Sequence, residues 1–140
     1  MLKRVILESP YAGNTPEEIR ANVEYAKRAM RDCIARREAA IASHLIWADG
    51  GILDEFNVYE RMVGIECGNA WRQVAEYTVF YTDRGWSNGM LACLAQLDIG
   101  HLPYEVRALD SAPQVPNATT FLSPEKLNAA HNDDSPHSPL

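Results

Sequence analysis

The residues best suited to chemistry gather at three places in the chain. Glu8-Ser9-Pro10-Tyr11 ends an apolar run, Ser43-His44 follows a second β-prone run, and Asp83-Arg84-Gly85-Trp86-Ser87-Asn88-Gly89-Met90 follows a third. Carboxylates, hydroxyls, a phenol and an imidazole are groups that move protons or hold sugar hydroxyls and ring nitrogens. The glycine-bearing stretch leads from a β-like run into a helix-like run over 91–99. Such a strand–turn–helix unit turns backbone N–H groups and a helix N-terminus toward a ligand. Asp83 binds a ribose hydroxyl or ring nitrogen there, or with Ser87 it only caps and braces the turn. Since no acid follows Asp83 in this turn, Arg84, Ser87 and the backbone amides are compatible with an anion. His44 reads as an acid, base or hydrogen-bond donor, or as a satisfied structural residue. The first loop, running on to Gly13 and Asn14, matches neither the Walker nor the G-x-G-x-x-G pattern. Glu17 and Glu18 already occupy the positive end of the helix that follows, so a nucleoside base or hydroxyl suits this loop better than a phosphate.

Glu66 is the fourth candidate. At about 100° per residue, Met62, Val63, Ile65 and Ala70 form one apolar arc with Glu66 near its centre. A carboxylate on a buried face must be paired, protonated or turned to a cavity. It therefore reaches the crevice as a base or acceptor, or pairs with an arginine such as Arg107. Gly64 and Gly68 lie on the opposite face with Arg61, where two glycines four apart permit close approach of another element. His44, Asp49, Asp54 and Glu55 are potential metal ligands, but their spacing fits no metal-loop pattern, so neither metal nor cofactor is expected.

These residues need elements to position them, and the elements alternate. Residues 4–9 form a β-prone run ending at Pro10. Thr15-Pro16-Glu17-Glu18 supplies an N-cap, an N1 proline and a capping-box glutamate for a helix whose core stripe is Ile19, Val23, Ala26, Met30 and Ile34. A second strand spans 39–45, and a loop with Asp49-Gly50-Gly51 spans 46–56. Asn57 and Glu60 cap a helix running to about residue 74. Strand 77–82, the third helix, a stop at Gly100 and strand 104–108 complete the series. The order β-α-β-α-β-α-β predicts an α/β fold, a Rossmann-like parallel sheet of four to five strands with helices on both faces. The candidate residues then meet at the carboxyl ends of the strands. The third helix is apolar almost all round, which predicts burial on more than one side and points to a second subunit.

The bulk properties narrow the partners. A chain of 140 residues holds one domain with a sizeable core. A net charge of −6 and basic residues interleaved with acids argue against a DNA or RNA duplex. Cys33, Cys67 and Cys93 are far apart and odd in number, so they read as reduced, mostly buried thiols. No signal-peptide core or membrane-length apolar run is visible, which predicts no membrane partner and a cytoplasmic location. Five of the eight prolines fall after residue 110. The domain is therefore placed at 1–110, with a Pro-rich, largely disordered tail at 111–140. Ser123-Pro124-Glu125 is a possible short helix start within that tail.

Val5-Ile6-Leu7-Glu8-Ser9-Pro10-Tyr11-Ala12-Gly13, Asn22 and Tyr25, Ala42-Ser43-His44, Tyr81-Thr82-Asp83 and Ser87-x-Gly89-Met90 together resemble small uncharacterised proteins of bacteriophage genomes. Those are similar at fold level to the nucleoside 2-deoxyribosyltransferases, and the resemblance covers about residues 3–109. It implies Tyr11 as the first-loop aromatic and Asp83 with Gly89-Met90 as the ligand turn. In the transferases a glutamate after Gly-Met attacks the sugar, and here that position is Leu91, which cannot form a glycosyl ester. The resemblance thus implies a nucleoside- or nucleotide-derived small molecule held by Ser9, Pro10, Tyr11, His44, Asp83, Ser87, Gly89 and Met90, while the apolar third helix points to a homo-oligomer. One form of this is a phage protein, in the host cytoplasm, that sequesters a nucleotide-derived signal. The alternative is an N-glycosidic hydrolase or transferase using a relocated carboxylate, with Glu8, His44, Glu66 and Asp83 as catalytic candidates.

Overall fold

The computed structural model describes residues 1–109. The expected tail at 111–140, with its helix start at Ser123, lies outside the described residues. The elements run β1 (Lys3–Glu8), α1 (Pro16–Ala35), β2 (Glu38–Ile41), a π-helical turn (His44–Ala48), α2 (Val58–Arg72), β3 (Tyr77–Tyr81), α3 (Asn88–Ile99) and β4 (Tyr104–Arg107). The four strands pair in parallel in the order β2-β1-β3-β4. This is a small α/β fold of Rossmann-like arrangement, as the alternation of elements predicts. No helix among the described residues is long and apolar enough to cross a membrane.

Buried strands must be apolar on both faces, and Val5 to Glu8 and Thr78 to Tyr81 are buried without interruption. One face packs Val5, Leu7, Val79 and Tyr81 against Tyr25, Ala29 and Cys33 of α1. The other packs Phe80 and Val106 against Met90, Cys93, Leu94 and Leu97 of α3. The chain leaves β1 toward β2 and then crosses back to β3. The strand order thus reverses beside β1, and in such sheets this reversal opens a crevice at the carboxyl ends.

Local signals start the helices where expected. Thr15 Oγ1 accepts the Glu18 N–H at 3.1 Å with Pro16 at N1, and Asn57 Oδ1 accepts from the N–H groups of Tyr59 and Glu60. Apolar spacing was a poorer guide to facing. In α1 the buried residues are Asn22, Val23, Tyr25, Ala26, Ala29 and Cys33, whereas Ile34 is exposed. Asn22 and Tyr25 are polar but hydrogen-bonded, so they occupy the inner face that an apolar count assigns elsewhere. The second strand ends at Ile41, and His44 opens the π-helical turn instead of closing a strand.

The largest correction concerns α2. Gly64 and Gly68 are its buried residues, while Met62, Ile65 and Glu66 face outward. The helix thus turns its glycines inward and its bulkier arc to the outside. Glu66 is therefore absent from the crevice, and Arg107 finds other partners. Likewise, α3 buries Met90, Leu91, Cys93, Leu94 and Leu97 within the one chain, so its apolar character requires no second subunit.

Arg107 joins the two edge strands across the face covered by α1. Its Nη1 lies 2.9 Å from Glu38 Oε1 on β2, and its Nη2 lies 2.7 Å from Glu105 Oε2. Tyr77 OH donates to Glu38 Oε2 at 3.0 Å, and Tyr81 OH donates to Asp32 Oδ2 at 2.7 Å. Both Glu38 and Arg107 are buried, so removing either strands the other's charge. Glu38→Ala should lower unfolding stability by about 3–5 kcal/mol in urea titrations. The Glu38→Met, Arg107→Met double variant should lose less than that single variant; equal or greater loss would contradict the pairing account.

Candidate functional site

The polar residues at the reversal of strand order come from β1, the π-helical turn and the loop before α2. Glu8 closes β1 but points toward α2 and α3, where it forms a buried ion pair with Arg72 Nη2. Burial raises its carboxyl pKa and Arg72 works against that rise. The neighbouring Cys93 thiol is also pushed up by burial and then by Glu8, which leaves it a poor nucleophile. Glu8 is thus committed to the ion pair beneath the helices.

Ser9 turns the other way. Its Oγ shares a hydrogen bond of 3.0 Å with His44 Nε2, and both residues are buried. Desolvation lowers the His44 pKa to about 4, so the ring is neutral near pH 7. His44 Nδ1 is buried and has no hydrogen-bond partner. The Tyr11 ring stands 5.9 Å from the His44 ring, centroid to centroid. Burial, followed by the charges of Glu55 and Asp49, pushes the Tyr11 hydroxyl up to about 12. Pro10 is buried between Ser9 and Tyr11.

The π-helical turn fixes this group through backbone bonds. Asp49 N–H donates to the His44 carbonyl at 2.9 Å, and Leu53 N–H donates to the Trp47 carbonyl at 2.8 Å. A Cβ at Gly50 would lie 2.2 Å from the Ile46 carbonyl oxygen, so only glycine fits there. The Glu60 carboxylate accepts the Asp54 N–H and ties the loop to α2. Glu55, which was not among the sequence candidates for ligand binding or catalysis, lies buried in the loop before α2, and its charge reaches Tyr11. It is 7% exposed, and its Oε1 has no partner. Burial raises its pKa to about 7, with Arg61 opposing and Asp54 adding to the rise. A usable signal was its place just before the Asn57 cap, since a crossover helix begins at the carboxyl end of a parallel sheet.

The turn before α3 is tied to the same region. Asp83 Oδ1 accepts from Tyr25 OH at 2.6 Å and from Leu109 N–H at 2.8 Å, while Asp83 N–H donates to Tyr25 Oη at 2.9 Å. Asp83 therefore braces α1, β3 and the segment after β4. Arg84 Nε donates to Asn22 Oδ1 at 2.8 Å, and Asn22 Nδ2 donates to the Tyr11 and Ala12 carbonyls. Asn22 is thus the link between the first loop and the glycine turn. Ser87 Oγ accepts the Met90 N–H at 3.2 Å, and Met90 Sδ accepts the Ser87 N–H at 3.5 Å. Gly89 is half-buried in the first turn of α3, and Leu91 is buried. At the start of α1, Glu18 Oε2 accepts the Asn14 N–H at 2.6 Å.

Ser9, Pro10, Tyr11 and His44 thus form one group, and the turn carrying Asp83, Ser87, Gly89 and Met90 is joined to it through Asn22 and Arg84. Glu66 stands apart. Among the described residues no group of three or more His, Cys, Asp or Glu side chains is arranged to hold a metal. The model of a protein family described as a domain of unknown function (DUF7768) matches residues 3–107. No curated protein and no solved structure matches the chain.

Two buried groups of this site act on stability with opposite signs. His44 has a folded-state pKa of about 4 against an ordinary 6.5, so its contribution is complete above 6.5 and is lost as pH falls toward 4. Glu55 is raised to about 7 from 4.5, so its contribution is complete below 4.5 and is lost as pH rises through 7. The slopes oppose each other where the windows overlap, giving a shallow profile in the natural chain. Glu55→Gln should unmask the His44 slope, with about 3 kcal/mol lost between pH 6.5 and 4 in urea titrations. A flat profile in that variant would contradict the burial of a neutral His44.

Proposed function

We propose that this chain, which belongs to the DUF7768 family, binds a nucleoside-type small molecule at the carboxyl ends of β1 and β3. The observation that carries this reading is the buried Ser9–His44 pair beneath Tyr11, with His44 Nδ1 left without a partner. A buried polar atom without a partner costs stability, and such atoms are retained where a ligand or water completes them. An aromatic ring beside convergent polar groups at a topological switch point suits a flat, weakly polar heterocycle.

Two features favour the unphosphorylated form. The N-terminus of α1 is filled by its own Glu18 carboxylate, and that of α3 by the side chains of Ser87 and Met90. The Asp49 carboxylate adds negative charge near Tyr11. Binding is favoured over group transfer because the nucleophile position of the resembling transferases holds Leu91, buried in the α3 packing. Hydrolysis by a relocated carboxylate is the second reading. Glu8 and Asp83 are engaged in internal bonds and Glu66 faces away, so Glu55 is the carboxylate that favours it.

The reading includes a second copy of the chain on the outer face of α2. Val58, Met62, Ile65 and Asn69 follow a four–three–four spacing, which forms a seam able to meet its own copy. Val58 and Met62 are 75% and 59% exposed, and Tyr59 and Phe56 extend the apolar surface beside them. Light scattering should give a dimer that Met62→Glu converts to a monomer; a monomeric natural chain would contradict this part.

Isothermal titration of the full chain with the four 2′-deoxynucleosides, together with chromatography for released base, tests the function. Saturable binding without free base is expected, and Ser9→Ala should weaken it by about tenfold. Absence of binding to any of the four would overturn the reading, and released base would replace it with the hydrolytic one.

A further inference from the structure

Between His44 and Gly64 a single residue is buried, and it is Glu55. The apolar side chains of that stretch, Ile46, Ile52, Phe56, Val58, Tyr59 and Met62, are exposed. The usual arrangement is inverted, since an irregular segment is ordinarily anchored by apolar side chains and here the anchor is a carboxylate. Its Oε1 is enclosed and has no hydrogen-bond partner. A carboxyl group held in this way is stable when neutral and is driven toward water when ionised.

The charges around Glu55 do not remove that conflict. Arg61, in the first turn of α2, favours the ionised form, yet its own Nε is buried without a partner. Asp54, next in the chain, disfavours it, and the Glu55 charge joins that of Asp49 in acting on Tyr11. The outcome is a carboxyl group that titrates at about 7. His44 precedes the segment and stays neutral beside Ser9.

The backbone of residues 49–57 is held by few ties. The Ile52 and Leu53 N–H groups donate to the Trp47 carbonyl, Asp54 N–H donates to the Glu60 carboxylate, and Asn57 N–H donates to the Asp54 carbonyl. At the near end Gly51 has a φ of +74°, a backbone state that suits glycine, and at the far end Asn57 starts α2. A segment that buries no apolar side chain opens locally at low cost.

We propose that Glu55 is a proton-operated latch on residues 49–57: neutral, it seats the segment on the body of the protein, and on giving its proton to solvent it leaves the interior and releases the segment. The segment joins the turn that carries His44 to the first turn of α2, so the latch sets how firmly those two parts are linked. The proposal does not depend on the nucleoside-binding reading.

The closed segment holds Glu55 at about 7 against an ordinary 4.5 when open, so opening is favoured as pH rises between those values and levels above 7. Amide hydrogen exchange of the full chain from pH 5 to 8, read by mass spectrometry and corrected for intrinsic exchange rates, follows this through the Ile52, Leu53 and Asn57 amides. Glu55→Gln keeps the side chain neutral and serves as the reference. The ratio of opening in the natural chain to opening in the variant cancels titrations common to both. That ratio should rise about a hundredfold between pH 5 and 7 and then level, while peptides from β1 and α1 show no such rise. A ratio independent of pH would overturn the proposal. An equal rise in the β1 and α1 peptides would also overturn it, by making Glu55 a contributor to global stability alone. If Glu55→Gln does not fold, Glu55→Leu is the reference; failure of both to fold would count against a latch that needs only a neutral side chain.

Discussion

The parallel pairing of β1 between β2 and β3 is the constraint from which the rest follows. A strand hydrogen-bonded on both sides and covered on both faces can carry polar chemistry only where it ends. Val5, Ile6 and Leu7 are accordingly buried and apolar, and the change to Glu8, Ser9 and Tyr11 comes at the carboxyl end. Successive side chains alternate between faces. Glu8 is therefore committed to Arg72 on one face, while Ser9 meets His44. Two adjacent residues thus take opposite roles, one locking a helix to the sheet and the other opening the candidate site.

Polar ties hold the crevice rim together. Asp83 binds Tyr25 and Leu109, and Asn22 connects the first loop to Arg84. Each tie joins segments remote in sequence, so the rim is held by side chains where no backbone ladder reaches. The same residues that resemble a ligand-binding turn are in large part structural supports for it. Among the described residues, the buried side-chain atoms left incomplete are His44 Nδ1 beside Ser9, Glu55 Oε1, Arg61 Nε, Arg72 Nε and Asp98 Oδ2.

The fold was readable because its signals are local: the Thr15, Asn57 and Ser87 caps, the stop at Gly100 and the alternation of β-prone and helical runs. The convergence of Ser9, Tyr11 and His44 follows from the parallel topology of the sheet. What escaped was the facing of helices. Helical periodicity counts apolar side chains, and α2 packs through residues that have none, so Glu66 was placed inside although it lies outside. In α1, hydrogen-bonded Asn22 and Tyr25 take inner positions that a hydrophobic count gives to Ile34. Glu55 escaped for a related reason. It lies in an irregular segment with no period, so its burial has no signal in the sequence.

The most direct test of the account is nitrogen-resolved NMR of the His44 ring in the full chain, recorded with and without added 2′-deoxynucleosides. The account predicts a single neutral tautomer near pH 7, with the Nδ1 resonance moving on addition while that of the exposed His101 stays in place. A His44 ring that is charged near pH 6, or one whose Nδ1 resonance is indifferent to every deoxynucleoside added, would contradict it.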